Sequence, residues 1–209
     1  MRLLSPTDYR TMPWKNGLGI TREIAALRSA EDQASGRFAW RLSMADVTAS
    51  APFSPFPGCD RVIVLLSGDG MLLHSDEGGS HRLDQPLLPY AFSGDVSTDC
   101  RLLGGACRDF NVMVDRARAQ AAVHVVTLSS QTQTVAAAGS TLALFVASGR
   151  VHVHGDSGAG PPGITIPAGH TLLWNRADDE PLPERLTLLA TDEPACVFLV
   201  WLRLHEAGS

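Results

Sequence analysis

Charged and amide side chains recur at every second position in two short segments of this chain. Arg41 is followed by Ser43, and Asp109 is followed by Asn111, with apolar residues between them. In a β-strand such residues share one face, and a buried arginine on that face needs an acid or a bound anion as its partner. Arg61 opens a further predicted strand. The pattern predicts a carboxylate-binding pocket; the alternatives are an exposed polar face or an internal Arg41–Asp109 ion pair.

A glycine-rich loop near the N-terminus carries a second group of candidate binding residues. Trp14, Lys15 and Asn16 offer an apolar wall, a cation and an amide just before an Asn-Gly turn. The loop lacks the third glycine of a dinucleotide-binding fingerprint and the Gly-Lys-Ser/Thr ending of a P-loop. We therefore interpret it as a contributor to a small-molecule pocket.

Histidine and cysteine side chains indicate competing chemistries. His152 and His154 alternate on a predicted strand, so both can project from one face and chelate a transition metal. The alternative is a structural or solvent-exposed pair, because the spacing identifies no third ligand. The chain has no Gly-x-Ser-x-Gly nucleophile elbow. Its four cysteines form no Cys-x-x-Cys pair and are expected to be reduced thiols.

The composition excludes several classes of partner. With 17 basic against 22 acidic residues and no basic run, a nucleic-acid surface is not expected. The longest apolar run, Ala195–Leu202, falls short of the about 20 residues that span a bilayer, and the first residues lack the apolar core of a signal peptide. We expect a cytoplasmic protein without membrane contact. At 44% hydrophobic residues, its 209 residues can bury a sizeable core.

The strands that must position the candidate residues repeat along the chain. The segments around Ser67-Gly68 and Ser148-Gly149 match at an offset of 81 residues, each reading strand, turn, strand, glycine-rich loop and proline. The sequence has no amphipathic helices long enough for crossovers, so antiparallel sheets are expected. The repeat predicts a duplicated β-barrel, with Asp115–Ala122 as a linker of one or two helical turns.

Five motifs follow one another in order across residues 12–113. They are Met12-Pro13-Trp14-Lys15-Asn16-Gly17-x-Gly19-x-Thr21-x-Glu23, Phe38-x-Trp40-Arg41-x-Ser43-x-Ala45, Pro52-Phe53-Ser54-x-Phe56-Pro57-Gly58-x-Asp60-Arg61, Phe92-x-Gly94-Asp95 and Asp109-Phe110-Asn111-x-Met113. Together they resemble the HutD/Ves family. The resemblance implies a bicupin, a mainly β chain with two tandem jelly-roll (cupin) barrels. The N-terminal barrel with the ligand pocket would span residues 1–115, and the C-terminal barrel residues 116–209.

The same resemblance implies a function. Family members are often encoded with histidine-utilisation enzymes and are thought to bind a small ligand of that pathway and to moderate its expression or flux. No catalytic activity is established for the family. Metal-binding cupins carry His-x-His, Glu and a later His, but the Glu position falls here on Arg61 and the later His position on Leu172. We therefore expect no metal and no cofactor, and an anionic guest in place of a cation.

The predicted site is a metal-free pocket for a small carboxylate metabolite. Its residues are Arg61 and Arg41 on the carboxylate, Lys15 and Asn16 from the loop, Ser43 and Asn111 as neutral hydrogen-bond partners, Trp14 and Phe92 as apolar walls, and Asp109 to hold an arginine in place. Two other functions compete with it: a metal-dependent cupin isomerase or oxygenase that uses His152 and His154, and a protein-interaction module. The apolar strand Val197–Leu204 is either core or the interface of a homodimer.

Overall fold

The computed structural model describes residues 1–14, 16–129, 131–136, 140–155, 163–175, 184–191 and 194–205. Within these ranges strands dominate, which confirms the mainly β expectation. The elements are β1 (Arg2–Leu4), β2 (Arg10–Pro13), β3 (Gly19–Leu27), α1 (Ala30–Ser35), β4 (Trp40–Val47), β5 (Ala51–Phe53), β6 (Cys59–Ser67), β7 (Met71–Ser75), β8 (Gly79–Leu83), β9 (Pro89–Ser93), β10 (Thr98–Leu102), β11 (Cys107–Asp115), β12 (Ala119–Leu128), β13 (Gln133–Ala136), β14 (Thr141–Ser148), β15 (Arg150–Gly155), β16 (Ile164–Pro167), β17 (Thr171–Asn175), β18 (Arg185–Ala190) and β19 (Ala195–Leu204). None of the helical structure in these ranges has the length and apolarity to cross a membrane.

One compact unit, Tyr9–Gln120, consists of two antiparallel sheets. The strands follow the order β2-β3-β4-β11-β6-β9 in the larger sheet and β5-β10-β7-β8 in the smaller one. Side chains from both sheets meet in a hydrophobic core that includes Ile63, Leu65 and Met71. Because side chains alternate along a strand, Arg61 lies on the same inward face of β6 as Ile63 and Leu65. The interior of this unit is therefore apolar over one part of the sheet and polar over another.

The central strands of the larger sheet are buried on both faces. Val64 on β6 and Phe110 on β11 are partners in register, and both are completely buried on the face opposite to Arg61. In a strand that is buried on both sides, a shift of register moves a polar side chain only from one buried face to the other and never into solvent. The polar residues of the inward face must therefore find partners inside the unit.

The second compact unit combines Met1–Asp8 with Ala121–Glu206. Its sheets have the orders β1-β17-β14-β19-β12 and β13-β18-β15-β16. The first strand comes from the start of the chain and pairs with β17, where Arg2 lies opposite Leu173. Side chains from both sheets, among them Leu144 on β14 and Val153 on β15, pack in one hydrophobic core.

The repeat predicted from the 81-residue offset is present as a repeated order of strands. The series β4-β11-β6-β9 and β5-β10-β7-β8 of one unit become β12-β19-β14-β17 and β13-β18-β15-β16 of the other when eight is added to each label. Both Ser-Gly turns connect a strand of the larger sheet to a strand of the smaller sheet, and Gly68 and Gly149 adopt the positive φ that this turn requires. The two units therefore share one order of strands, and the division into two barrels stays a prediction.

The predicted helical linker is wrong. Asp115–Ala122 contains a tight turn after β11, and from Ala119 the chain already runs in β12. The Asp115 carbonyl accepts a hydrogen bond from the Arg118 amide at 2.9 Å, and the Asp115 carboxylate accepts one from the Ala117 amide at 3.1 Å. An aspartate that satisfies the backbone in this way favours a turn over a helix, whatever the helix propensity of the alanines that follow.

Candidate functional site

A cavity of about 460 Å³ lies within the unit Tyr9–Gln120. Seven of the nine predicted site residues line it: Trp14, Asn16, Arg41, Ser43, Arg61, Asp109 and Asn111. Phe92 does not line the cavity but lies beneath the guanidinium of Arg61, with its ring centroid 4.7 Å from the guanidinium carbon. Lys15 lies outside the described residues. The sequence pattern thus brings most of its candidates to one place.

The register of the larger sheet explains why residues so distant in sequence meet. Ser43 on β4 lies opposite Asn111 on β11. Met113, two residues further along β11, lies between Arg41 on one side and Arg61 on the other. Neighbouring strands are about 4.8 Å apart, so long side chains from these rows reach a common space. The alternation of side chains along each strand and the antiparallel pairing of the strands are therefore sufficient to bring these polar side chains together on one face of the sheet.

Arg61 is buried, with 7% of its surface exposed. Its guanidinium carbon lies 5.3 Å from the ring centroid of Phe53 and 5.6 Å from that of Phe56, in addition to the contact with Phe92. Burial lowers the pKa of Arg61 to about 10, against the attraction of Asp109, so the side chain stays charged at neutral pH. Its Nε atom has no hydrogen-bond partner among the described residues. Aromatic faces stabilise the charge but leave a donor unused.

Arg41 is the second cation at the cavity, and its side chain is half-buried. Its guanidinium carbon lies 5.5 Å from the ring centroids of both Phe38 and Phe56. Burial lowers its pKa, and the attraction of Glu23 opposes that effect. The Nε atom lies 3.9 Å from Glu23 Oε2, too far for a hydrogen bond, and has no other partner in the described part of the chain. Arg41 and Arg61 share Phe56 as a neighbour, so two cations face one small space.

Glu23 compensates the charge of Arg41 only in part, because another arginine also holds it. Both oxygens of Glu23 accept hydrogen bonds from Arg28, at 2.7 and 2.6 Å. This bidentate pair keeps the carboxylate on Arg28, and its nearer oxygen stays 3.9 Å from Arg41 Nε. Neither Glu23 nor Arg28 belongs to the lining of the cavity. We interpret Arg28 as a residue that keeps the charge of Arg41 available.

Exchange of Arg28 for glutamine is therefore expected to weaken the binding of carboxylates, although residue 28 does not line the cavity. The released Glu23 carboxylate would turn to Arg41 and compete with the ligand, which should cost about tenfold in affinity. The double variant Glu23→Gln/Arg28→Gln should recover that loss, because the competing acid is gone. Titration calorimetry with a small acid on the parent, on Arg28→Gln, on Glu23→Gln and on the double variant measures this cycle. Equal losses in the Arg28→Gln variant and the double variant would contradict the interpretation.

Asp109 is almost completely buried, with 1% of its surface exposed. Burial raises the pKa of this carboxyl group to about 7, although the charge of Arg61 and a hydrogen bond from the Asn111 side chain both lower it. The alternative of an Arg41–Asp109 ion pair is wrong, because the acid near Arg41 is Glu23. Among the described residues Asp109 forms no ion pair with Arg61 either, so it acts on that side chain through charge alone.

The N-terminal loop contributes Trp14 and Asn16 in different ways. The Trp14 indole Nε1 donates a hydrogen bond to Thr21 Oγ1 at 2.8 Å, which fixes the ring as a wall of the cavity. The Asn16 side-chain oxygen accepts a hydrogen bond from the Leu18 amide at 3.0 Å and so stabilises the loop itself. Gly19 lies against the Trp14 ring, where an added Cβ would come within 2.8 Å of Cδ2. A glycine at this position permits the close packing of loop and ring.

The aromatic and acidic surroundings of the two arginines were not predicted from the sequence. Phe53 and Phe56 contact Arg61 and Glu23 approaches Arg41, yet none of these three was among the predicted site residues. All three stand inside motifs that carry the family resemblance, Pro52–Arg61 and Met12–Glu23. Their membership of these motifs could have suggested a role in the site. The spacing of residues within a motif does not, however, predict which arginine a given phenylalanine contacts.

Within the described residues, the structure places no third metal ligand beside His152 and His154 and no reactive thiol among the cysteines. The rings of His152 and His154 on β15 are 6.3 Å apart, and His152 Nδ1 is 3.0 Å from Thr165 Oγ1. No group of three or more His, Cys, Asp or Glu side chains within the described ranges is placed to hold a metal ion. The four cysteines are free and buried, and burial raises the pKa of each thiol, for Cys100 to about 12. They are therefore protonated at neutral pH.

Comparison with known proteins places this cavity in context. The HutD family model matches residues 6–196. A curated relative from Pseudomonas putida, named as an uncharacterized 21.2 kDa protein in the hutC 3′ region, is 44% identical over 156 residues, covering 73% of this chain and 77% of the relative. The structure of HutD from Pseudomonas fluorescens SBW25, in a formate condition, is 30% identical with a TM-score of 0.80 and covers 98% of both chains.

A more distant likeness concerns the fold alone. A cupin 2 conserved barrel domain protein from Leptotrichia buccalis superposes with a TM-score of 0.54 at 8% identity, over 88% of this chain and 89% of that one. The architecture is therefore cupin-like. The family match, the curated relative and the similar structure agree, and the family match spans the segments that form the cavity. The chain belongs to the HutD family.

Proposed function

We propose that this protein binds a small carboxylate metabolite in the cavity of the unit Tyr9–Gln120, through Arg41 and Arg61, as an accessory or regulatory protein of histidine utilisation. One observation carries the proposal. Two guanidinium groups, the buried Arg61 and the half-buried Arg41, face the same cavity, and the buried Nε atom of each has no hydrogen-bond partner among the described residues. A carboxylate supplies the missing acceptors and the missing negative charge together.

The charge balance around the cavity supports an anion over a neutral guest. Glu23 is held by Arg28, and Asp109 is partly protonated near neutral pH because burial raises its pKa to about 7. The positive charges of Arg41 and Arg61 are thus incompletely compensated. Burying such charges without a partner is costly, so a bound anion stabilises the folded protein.

The relatives support the link to histidine utilisation, because the similar structure from Pseudomonas fluorescens is named HutD. The Pseudomonas putida relative is named for its position in the hutC 3′ region. Urocanate and a formylated glutamate, both acids of histidine breakdown, are the first candidates for the ligand. A cytoplasmic location is part of this proposal.

The proposal includes two tandem jelly-roll barrels and a site without metal. The support for the barrels is the order β4-β11-β6-β9 over β5-β10-β7-β8 and its repetition in the second unit, which is the strand order of an eight-stranded double-sheet jelly roll. The support for a metal-free site is Arg61 itself, because a buried cation beside the cavity repels a metal ion.

A thermal-shift series on the full chain tests the proposal. Formate, urocanate and N-formylglutamate are each titrated against the matched neutral amides. An acid present at about 100 times its Kd should raise the Tm by roughly 5 to 10 °C, since it binds only the folded state. The neutral amides should leave the Tm unchanged. If no acid gives a saturable shift, or if the amides shift the Tm equally, the carboxylate site is refuted.

A further inference from the structure

We propose that the ligand of this cavity carries a neutral hydrogen-bond donor, an O–H or an amide N–H, in addition to the carboxylate that the arginines bind. The inference rests on the proposed function, because it assigns a second part of the same site. It follows from two buried acceptor atoms in the cavity that the protein leaves without a donor.

The two acceptors lie on one strand, away from the arginine row. Asp109 and Asn111 both line the cavity from β11. Along this strand the arginine row is marked by Met113, which lies between Arg41 and Arg61. At about 3.4 Å per residue, the backbone of Asn111 is one alternation, about 7 Å, from that row, and the backbone of Asp109 is about 14 Å from it. The long Arg61 side chain nevertheless reaches close enough for its charge to act on Asp109. The acceptors and the arginines therefore enter the cavity from different rows of the sheet.

The acceptor atoms are buried and identifiable. Asp109 is 1% exposed and Asn111 is 6% exposed. The Asn111 side chain lies near enough to the Asp109 carboxyl group to lower its pKa, so the two polar groups are neighbours in the cavity. Asp109 Oδ1 and Asn111 Oδ1 both lack a partner in the part of the chain that the structure describes. Buried acceptors of this kind are normally satisfied, and a ligand that displaces water from them must bring a donor.

The donor is expected to be neutral. Arg61 lies close enough to Asp109 for each to shift the pKa of the other. An ammonium group placed at these acceptors would meet the repulsion of that guanidinium, whereas a hydroxyl or an amide N–H would not. The ligand class is therefore a hydroxy acid or an amide-bearing acid, with its donor several bonds away from the carboxylate.

A protonated Asp109 gives the opposite prediction. Its O–H would itself be the donor, and the ligand would then need an acceptor at this position. Methyl ethers separate the two cases, because they keep the acceptor oxygen of an alcohol and lose its proton. The comparison needs no knowledge of the natural ligand.

The test is calorimetry on the full chain with matched acids of three lengths. The pairs are glycolate and methoxyacetate, 3-hydroxypropanoate and 3-methoxypropanoate, and 4-hydroxybutanoate and 4-methoxybutanoate, with propanoate and β-alanine as references. At the length that fits, the hydroxy acid should bind about tenfold or more tightly than its methyl ether, because a site built for a donor rejects the analogue that lacks it. It should also bind more tightly than β-alanine.

Variants locate the effect. In Asn111→Ala, the ratio of hydroxy-acid to ether affinity should fall toward one. Arg108→Gln, on the same strand but exposed and outside the cavity, should keep the ratio of the parent. If propanoate binds and the hydroxy acids equal or fall below their ethers at every length, the inference is overturned while the carboxylate site stands. If neither propanoate nor any other acid binds, the proposed function itself fails.

Discussion

Exchange of Arg61 for alanine should reduce the affinity for small carboxylates by about 100-fold or more. The side chain is buried, its charge is held by three aromatic rings, and its Nε has no protein partner in the described residues. Loss of one member of a buried, hydrogen-bonded charge pair costs on the order of 2 to 5 kcal/mol, much of it from the charge that stays behind. Calorimetry with formate or a larger acid measures the effect directly.

The fold should survive this change. In the free protein Arg61 is a desolvated charge without a carboxylate, so its removal is not expected to lower the Tm of the unliganded chain by more than the loss of packing against Phe92. Arg61→Lys keeps the charge but loses the planar fork, and should bind with intermediate affinity. Arg22→Ala is the matched control, because Arg22 pairs with Asp46 and does not line the cavity. A variant Arg61→Ala with the affinity of the parent would refute the assignment.

Exchange of Asp109 for asparagine should stabilise the unliganded protein at pH 8 and much less at pH 5. The pKa of Asp109 is about 7 in the folded state because of burial, against about 3.9 in an unfolded chain. Between these values the folded state holds a proton that the unfolded state releases. The contribution of Asp109 to stability is therefore fully present below pH 4 and is lost as the pH rises through 7.

The size of the effect follows from the difference between the two pKa values. About three pH units correspond to roughly 4 kcal/mol of the free energy of unfolding at pH 8. Asparagine has the same shape and no titration, so its advantage should grow steadily from pH 5 to pH 8. Denaturant unfolding of both proteins at four pH values measures the difference. A constant difference over this range would contradict the prediction.

Asp95→Asn is the control of opposite sign. Asp95 is exposed, and its pKa is lowered to about 2 by hydrogen bonds from the Gly58 amide, Arg116 and Ser93. Its contribution to stability is present at neutral pH and is lost only as the pH falls through that value. The Asp95→Asn variant should therefore be less stable than the parent at pH 7. The two carboxyl groups of one unit thus respond to pH in opposite directions.

The periodicity of the sequence was enough to predict which polar residues share a face. Arg41 and Ser43 alternate on β4, as do Asp109 and Asn111 on β11, and the antiparallel pairing of these two strands then makes them neighbours. The pairing of Glu23 with Arg28 follows no such rule. A bulge interrupts the pairing of β3 with β4 between Glu23 and Ala25, and the side chains meet through the bend of the chain. Contacts of this kind depend on tertiary geometry, and the periodicity of the sequence does not predict them.

The helix α1 was missed although a local signal was present. Ser29 caps it, and Ser29 and Asp32 exchange the two hydrogen bonds of a capping box. The six residues are too few for an apolar period to be recognised, and α1 is held by a long-range contact, in which both oxygens of Asp32 accept hydrogen bonds from Arg118. The linker prediction failed because it relied on the helix propensity of the alanines. The hydrogen bond that the Asp115 side chain accepts from the backbone determines a turn at this position instead.

The pairing of β1 with β17 has a consequence for the biosynthesis of the chain. Leu3 and Leu4 are synthesised almost 170 residues before their partners Leu172 and Thr171. At translation rates of about 5 to 20 residues per second, the unit Tyr9–Gln120 is complete for roughly 3 to 10 s before β17 has been made. One unit can therefore fold during synthesis while β1, which precedes it in the chain, still lacks the strand that completes its backbone hydrogen bonds.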